Sequence, residues 1–135
     1  MRWGNPRERY ENLEAVLEQL RKEAGGDTVV LVEGRRDEKA LTELGVSSDV
    51  VRLSGNGLSL AENAVEVSRS YQTAILLTDW DSEGEQLMLK VKDLLESYGV
   101  TPNTLHRHRL RNLTSKDIYD VESLAVYREN LKREI

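Results

Sequence analysis

The sequence predicts an α/β domain, an open and mainly parallel sheet flanked by helices, and three observations predict it. Two continuous apolar runs, Thr28 to Val32 and Thr73 to Thr78, are rich in Val, Leu and Ile. They read as strands buried on both faces, the kind a parallel sheet needs. Amphipathic stretches with apolar residues three and four apart stand before, between and after these runs. Strands that alternate with helices in this way imply parallel pairing and right-handed crossovers. No repeat, linker or low-complexity segment interrupts the 135 residues, so one domain spanning 1–135 is expected, its centre at about 28–98.

Taken in order, Tyr10, Leu13, Val16, Leu17 and Leu20 make one face of a helix from about Arg7 to Ala24, stopped by Gly25-Gly26. The strand from Thr28 to Val32 ends in Glu33-Gly34. Arg35, Arg36 and Asp37 open a short helix carrying Ala40, Leu41 and Leu44, closed by Gly45. Asp49 to Leu53 is the next strand, and Ser54-Gly55-Asn56-Gly57 reads as a plain turn. Leu58, Ala61, Ala64, Val65 and Val67 form the face of another helix. After the strand from Thr73 to Thr78, a helix from Glu83 to Tyr98 buries Leu87, Val91, Leu94, Leu95 and Tyr98, and Gly99 ends it. Thr101-Pro102-Asn103 reads as a turn and Leu105 to Leu110 as a short strand. Thr114 or Ser115 caps a last helix with Ile118, Val121, Leu124 and Tyr127 inward.

The bulk numbers narrow the function classes. At 39% hydrophobic and 32% charged the chain has the make-up of an ordinary soluble protein. It lacks the run of about 18 apolar residues that a membrane span needs. The opening residues, Met1 to Pro6, lack the apolar core of a secretory signal. Without cysteine, neither disulfides nor thiolate zinc sites are available, so an intracellular, cytoplasmic protein is expected. A net charge of −5 argues against a protein that coats nucleic acid indiscriminately. It leaves room for an acidic site that meets phosphate through a bound cation.

Such a site is suggested where the strands end. The run Leu76-Leu77-Thr78 stops at Asp79-Trp80-Asp81-Ser82-Glu83-Gly84-Glu85, and the earlier strand stops at Glu33. In open α/β sheets ligands bind beyond the carboxyl ends of the strands. Mg²⁺ takes oxygen ligands there, commonly one or two carboxylates plus substrate phosphates and water. Gly84 would let the chain turn sharply into the following helix. Each acid taken alone could be a helix-capping residue. Together they would crowd like charges at one sheet edge, which is destabilising unless a cation or a proton offsets them. Asp79, Asp81, Glu83 and Gly84 also match the start of an EF-hand loop, but Lys90 stands at its twelfth position and a strand precedes it. A haloacid-dehalogenase-type phosphatase would begin with the same strand and Asp-x-Asp, yet would leave Glu33 idle and lacks room for its later motifs.

The two motifs together, Val30-Leu31-Val32-Glu33-Gly34-Arg35-Arg36-Asp37 and Leu77-Thr78-Asp79-Trp80-Asp81-Ser82-Glu83-Gly84-Glu85, resemble the Toprim domain, a Rossmann-like fold. That domain is shared by topoisomerases, bacterial-type primases, nucleases, recombination-mediator proteins and 5S-rRNA maturation ribonucleases. Asp37 is placed as in the ribonuclease branch, and the overall layout is similar to small stand-alone archaeal Toprim proteins. The resemblance implies that Glu33 serves as general acid or base or as a metal ligand. It further implies that Asp79 and Asp81 bind Mg²⁺, with Mn²⁺ as a substitute, and that Glu83 helps hold a second ion. Trp80 stands where proline is common; exposed, it would stack on a base, and buried it would pack against a neighbouring loop.

His106-Arg107-His108-Arg109-Leu110-Arg111 is the one concentrated basic stretch. Read as a strand, it sets Arg107, Arg109 and Arg111 on one face, a row suited to phosphate contacts or to guarding a sheet edge. Arg35, Arg36 and Arg52, near strand ends, are further candidates, while Lys116, Asp117, Asp120 and Glu122 read as surface or packing residues of the last helix. The leading expectation is a small Mg²⁺-dependent nuclease or ribonuclease acting on RNA or DNA. The rival is a non-catalytic nucleic-acid-binding or assembly module working with a protein partner or as a homo-oligomer.

Overall fold

The computed structural model describes residues 4–47 and 49–135. Met1 to Trp3, part of the opening stretch read above for a secretory signal, lie outside the described residues. The chain runs α1 (Pro6–Glu23), β1 (Thr28–Val32), α2 (Arg35–Glu43), β2 (Val50–Arg52), α3 (Leu60–Ser70), β3 (Thr73–Leu77), α4 (Ser82–Ser97), β4 (Thr101–Asn103), α5 (Leu105–Thr114) and α6 (Leu124–Arg133). The four strands lie in the order β2-β1-β3-β4 and every pair is parallel.

Alternation along the two central strands divides the core into two layers. Val30 and Val32 of β1, with Ile75 and Leu77 of β3, face Leu13, Leu17 and Leu20 of α1, Leu41 of α2, Leu110 of α5 and Leu124 and Leu131 of α6. Val29 and Leu31, with Ala74 and Leu76, face Ala64 and Val67 of α3 and Met88, Val91 and Leu95 of α4. Because both faces are covered, β1 and β3 carry no polar alternation, and this makes them readable as strands. The helix starts are equally local in origin. Asn5 caps α1 by accepting from the Glu8 amide at 2.9 Å, with Pro6 at the first helical position. Ser59 and Glu62 form a reciprocal capping box on α3, which leaves Leu58 outside that helix and 39% exposed.

The C-terminal third departs from the expected elements. Thr101–Asn103, expected as a turn, is β4, an edge strand in which Pro102 is tolerated because an edge has one side without ladder bonds. Leu105 to Leu110, expected as a strand, lies in α5, where His106, Leu110 and Thr114 are buried at a spacing of four. The last helix, expected from a cap at Thr114 or Ser115, forms only in its later part: α5 ends at Thr114, an irregular segment follows, and α6 starts at Leu124. That segment carries Lys116, Asp117, Asp120 and Glu122, so none of these sits on a helix.

Strand order places the two acidic motifs. From β1 the chain crosses to β2 on one side and later to β3 on the other, so the carboxyl ends of β1 and β3 flank the reversal of winding. Crevices of this kind are where open α/β sheets bind ligands. Val32 pairs with Leu77, so Glu33 and Asp79 emerge beside each other from adjacent strands.

Candidate functional site

The side chain of Glu33 reaches across that gap. Its Oε2 accepts a hydrogen bond from the Asp79 backbone N–H at 2.8 Å, which ties the end of β1 to the first residue beyond β3. A cleft of about 370 Å³ opens over this junction, lined by the acids Glu33, Asp37, Asp79, Asp120 and Glu122 together with Arg35, Arg36 and Ser54. Asp37 belongs to the first turn of α2, where its carboxylate accepts from the Gly34 amide at 3.1 Å and from the Glu122 amide at 3.0 Å. The second bond draws the segment between α5 and α6 over the cleft, which is how Asp120 and Glu122 come to line it.

This crowding of carboxylates shows in their proton affinity. Burial, then the nearby Glu33, Asp37, Asp120 and Asp81, push the Asp79 carboxyl from 3.8 up to about 7. The Glu33 carboxyl is also raised, by burial first and then by Asp37 and Asp81, against the opposing pull of the Asp79 N–H and Arg107. Asp37 is raised by burial, with Asp120 and Glu122 adding to the effect and its two backbone donors opposing it. Such a site favours a proton or a cation.

The loop that carries the second motif is fixed by its backbone. Asp81 caps α4, its Oδ1 accepting from the Gly84 amide at 2.7 Å. Gly84 already lies inside the helix and its φ is not positive, so the sharp turn expected of it is absent. Space explains the glycine instead: a Cβ there would stand 1.9 Å from the Asp79 carbonyl oxygen. Trp80 is buried at 5% exposure and its Nε1 donates to the Ile118 carbonyl at 2.9 Å, so the ring packs on a neighbouring loop and is not free to stack on a base.

The candidate residues thus separate. Glu33 and Asp79 meet in the cleft, Arg35 and Arg36 stand on its rim with exposed side chains, and Asp81 lies close enough to raise both acids while serving as a cap. Glu83 is exposed on the first turn of α4 and does not line the cleft. The arginine row does not form, because α5 is a helix. Arg107 is 4% exposed with its guanidinium bonded to Thr78, Asp79 and Glu85; Arg111 lies 4.0 Å from Glu85; Arg109 is exposed. Asp120 and Glu122 escape sequence reasoning, since the contact that brings them in spans 85 residues and leaves no local pattern.

An all-carboxylate donor set suits a hard divalent cation and excludes one that prefers nitrogen or sulfur. Among the described residues no three His, Cys, Asp or Glu side chains are grouped closely enough to enclose an ion by themselves. Glu33 and Asp79 would therefore hold it with water and substrate oxygens completing the shell, as is usual for Mg²⁺.

A parallel sheet with paired acids at its switch point defines a class. Residues 28–111 match the Toprim domain model, and the chain belongs to the Toprim family. Domains of this family generally bind a divalent metal, and their function concerns nucleic acid. The UPF0292 protein of Thermococcus sibiricus is 40% identical over 117 residues, covering 87% of this chain and 88% of that one. A solved structure from Aquifex aeolicus, 32% identical, superposes with a TM-score of 0.70 over 82% of this chain and 96% of its own. The Aquifex aeolicus primase structure, at 24% identity and a TM-score of 0.54, covers 88% of this chain and 27% of the primase, a likeness of fold. No helix among the described residues is long and apolar enough to cross a membrane.

Proposed function

We propose that the chain is a small Mg²⁺-dependent Toprim nuclease, most readily a ribonuclease, that works on phosphodiester bonds at the cleft between β1 and β3. The observation that carries this reading is the 2.8 Å hydrogen bond from the Asp79 backbone N–H to Glu33 Oε2, which brings the two acid-bearing strand ends together in a cleft lined by further acids. A bound cation would neutralise charge developing on the phosphoryl oxygens and lower the pKa of a coordinated water. Asp79 and Glu33 would hold it, with Asp81 at the edge of the shell. Glu33, whose proton affinity is raised by burial above that of an ordinary carboxylate, would give or take the proton. Arg35 and Arg36, exposed on the rim, would meet the phosphates on either side of the reacting bond. Asp79 carries charge best compensated by a metal, which fits Mg²⁺ or Mn²⁺ equally in donor chemistry.

The test is incubation of purified protein with labelled structured RNA, single-stranded DNA and duplex DNA, in Mg²⁺, Mn²⁺ or EDTA, beside Glu33→Gln and Asp79→Asn. Metal-dependent cleavage that both substitutions abolish is the expected result. Cleavage that survives in both variants would reveal a contaminant. Binding without turnover in every metal would assign the chain to the non-catalytic class of Toprim modules.

A further inference from the structure

We propose that Arg107 is the positioning residue of the acid cleft: its guanidinium holds the loop bearing Asp79 and Asp81 so that their carboxylates meet a divalent cation in one fixed arrangement. The proposal rests on the reading of the cleft as a cation site.

The geometry is that of a fork set into backbone. Nε donates to the Thr78 carbonyl at 3.0 Å, Nη2 to the Asp79 carbonyl at 2.6 Å and Nη1 to Glu85 Oε1 at 2.7 Å. One planar group thereby joins the end of β3, the acidic loop and the first turn of α4, and it does so from α5. Only arginine offers donors in such a rigid array; a lysine ammonium is a single point. The Asp79 peptide unit is consequently fixed on both sides. Its N–H is bonded to Glu33, and its carbonyl oxygen is bonded to Arg107 while packed closely enough on Gly84 to exclude a Cβ.

The charge arrangement also favours positioning. A buried guanidinium is costly unless paired. Its carboxylate partner here is Glu85, which does not line the cleft. Arg107 approaches Asp79 through the carbonyl alone, and the Asp79 carboxylate receives no hydrogen bond among the described residues. The loop is therefore anchored by a cation that leaves the acid itself free. Displacements of about 1 Å in a reacting group can cost about a hundredfold in rate, so the anchoring of this peptide unit has consequences for chemistry.

Arg107→Lys tests this, with Leu110→Ala as the comparator: Leu110 lies on the same helix, is fully buried and belongs to the core beneath the sheet. Amide hydrogen exchange is measured in EDTA, and Mg²⁺ affinity by calorimetric titration. The Asp79 and Trp80 amides are sensitive probes, since they donate to Glu33 and to the Tyr119 carbonyl. In Arg107→Lys these two amides are expected to exchange about tenfold faster than in Leu110→Ala, after allowing for each variant's global stability. Mg²⁺ affinity is expected to fall about tenfold in Arg107→Lys and to change less than about twofold in Leu110→Ala. Should Arg107→Lys not fold, Glu85→Ala removes the outer anchor at a 40% exposed position and is expected to weaken Mg²⁺ binding about threefold.

Exchange at Asp79 and Trp80 no faster than in the comparator overturns the proposal. Faster exchange with unchanged Mg²⁺ affinity overturns it equally, since the anchored loop would then be irrelevant to the cation. A wild type that binds no Mg²⁺ removes the cation reading and this proposal together, a failure recognisable because it occurs before any substitution.

Discussion

Removing the charge of Asp79 is expected to stabilise the metal-free protein. The folded state raises this carboxyl from 3.8 to about 7, chiefly by burial and then by the neighbouring acids. A group whose folded pKa lies above its unfolded value adds stability that is full below the unfolded pKa and is lost as pH rises through the folded one. Wild-type protein in EDTA should therefore lose stability between about pH 4 and pH 7. A rise of this size corresponds to a ceiling of about 4 kcal/mol. Asp79 lines an open cleft and is only partly buried, so solvent screening reduces the expectation to about 1–2 kcal/mol. At pH 8 in EDTA, Asp79→Asn should consequently melt about 3–8 °C above wild type. At pH 4, where wild-type Asp79 is protonated, the two should coincide. Mg²⁺ reverses the order: wild type gains about 2.7 kcal/mol at about a hundred times its dissociation constant, more than the variant's lead, while the variant gains far less. The assay is thermal unfolding of both proteins from pH 4 to pH 8, with and without Mg²⁺. Equal or lower melting temperature for Asp79→Asn at pH 8 in EDTA would refute the argument that like charges at this strand end cost stability.

Other substitutions probe the loop and the rim. Alanine is normally favoured over glycine within a helix by about 1 kcal/mol, but Gly84→Ala must displace the Asp79 carbonyl and should instead lose at least about 2 kcal/mol in urea unfolding. Trp80→Phe keeps an aromatic ring in a buried position but leaves the Ile118 carbonyl without its donor, and should cost about 1–2 kcal/mol by the same measurement. If Arg35 and Arg36 meet phosphate, replacing both with alanine should weaken RNA binding and lower the slope of log affinity against log salt by about 1 to 2, measured by fluorescence anisotropy.

The elements that sequence reasoning locates and those it misplaces differ in how their burial is achieved. β1 and β3 bury apolar side chains on both faces, so their composition alone marks them, and the acids that follow each strand are marked by position. α5 buries residues of another kind. Its inward positions include His106, bonded to Glu23 at 2.8 Å, and Arg107, bonded to two carbonyls. The alternation of histidine and arginine suggests a strand because polar side chains buried through specific partners are invisible to hydrophobic periodicity. β4 is hidden by its brevity and by Pro102. Asp37 stands out for its place in the motif, but its bond to the Glu122 amide depends on a contact that only folding creates.

Hydrogen bonding ranks the acids of the cleft by their freedom to take a cation. Asp37 is satisfied by two backbone N–H groups, and replacing it loosens both the start of α2 and the segment before α6. Glu33 has one oxygen engaged by the Asp79 amide, and Asp81 has one engaged by the Gly84 amide, so each retains a single oxygen free of hydrogen bonds among the described residues. Asp79 alone among the four keeps its whole carboxylate free of hydrogen bonds among the described residues. It is also the group with the largest upward shift, because no donor offsets its burial. Affinity for Mg²⁺ should therefore fall most in Asp79→Asn, less in Glu33→Gln and Asp81→Asn, and least in Asp37→Asn. Stability in EDTA should follow a different order, with Asp37→Asn losing about 1–3 kcal/mol while Asp79→Asn gains. The two orders diverge because a carboxylate held by backbone donors supports the fold, whereas one left bare by the same backbone is available to a metal. Calorimetric titration and unfolding of the four variants would separate them, and a loss of Mg²⁺ affinity in Asp37→Asn as large as that in Asp79→Asn would contradict the ranking.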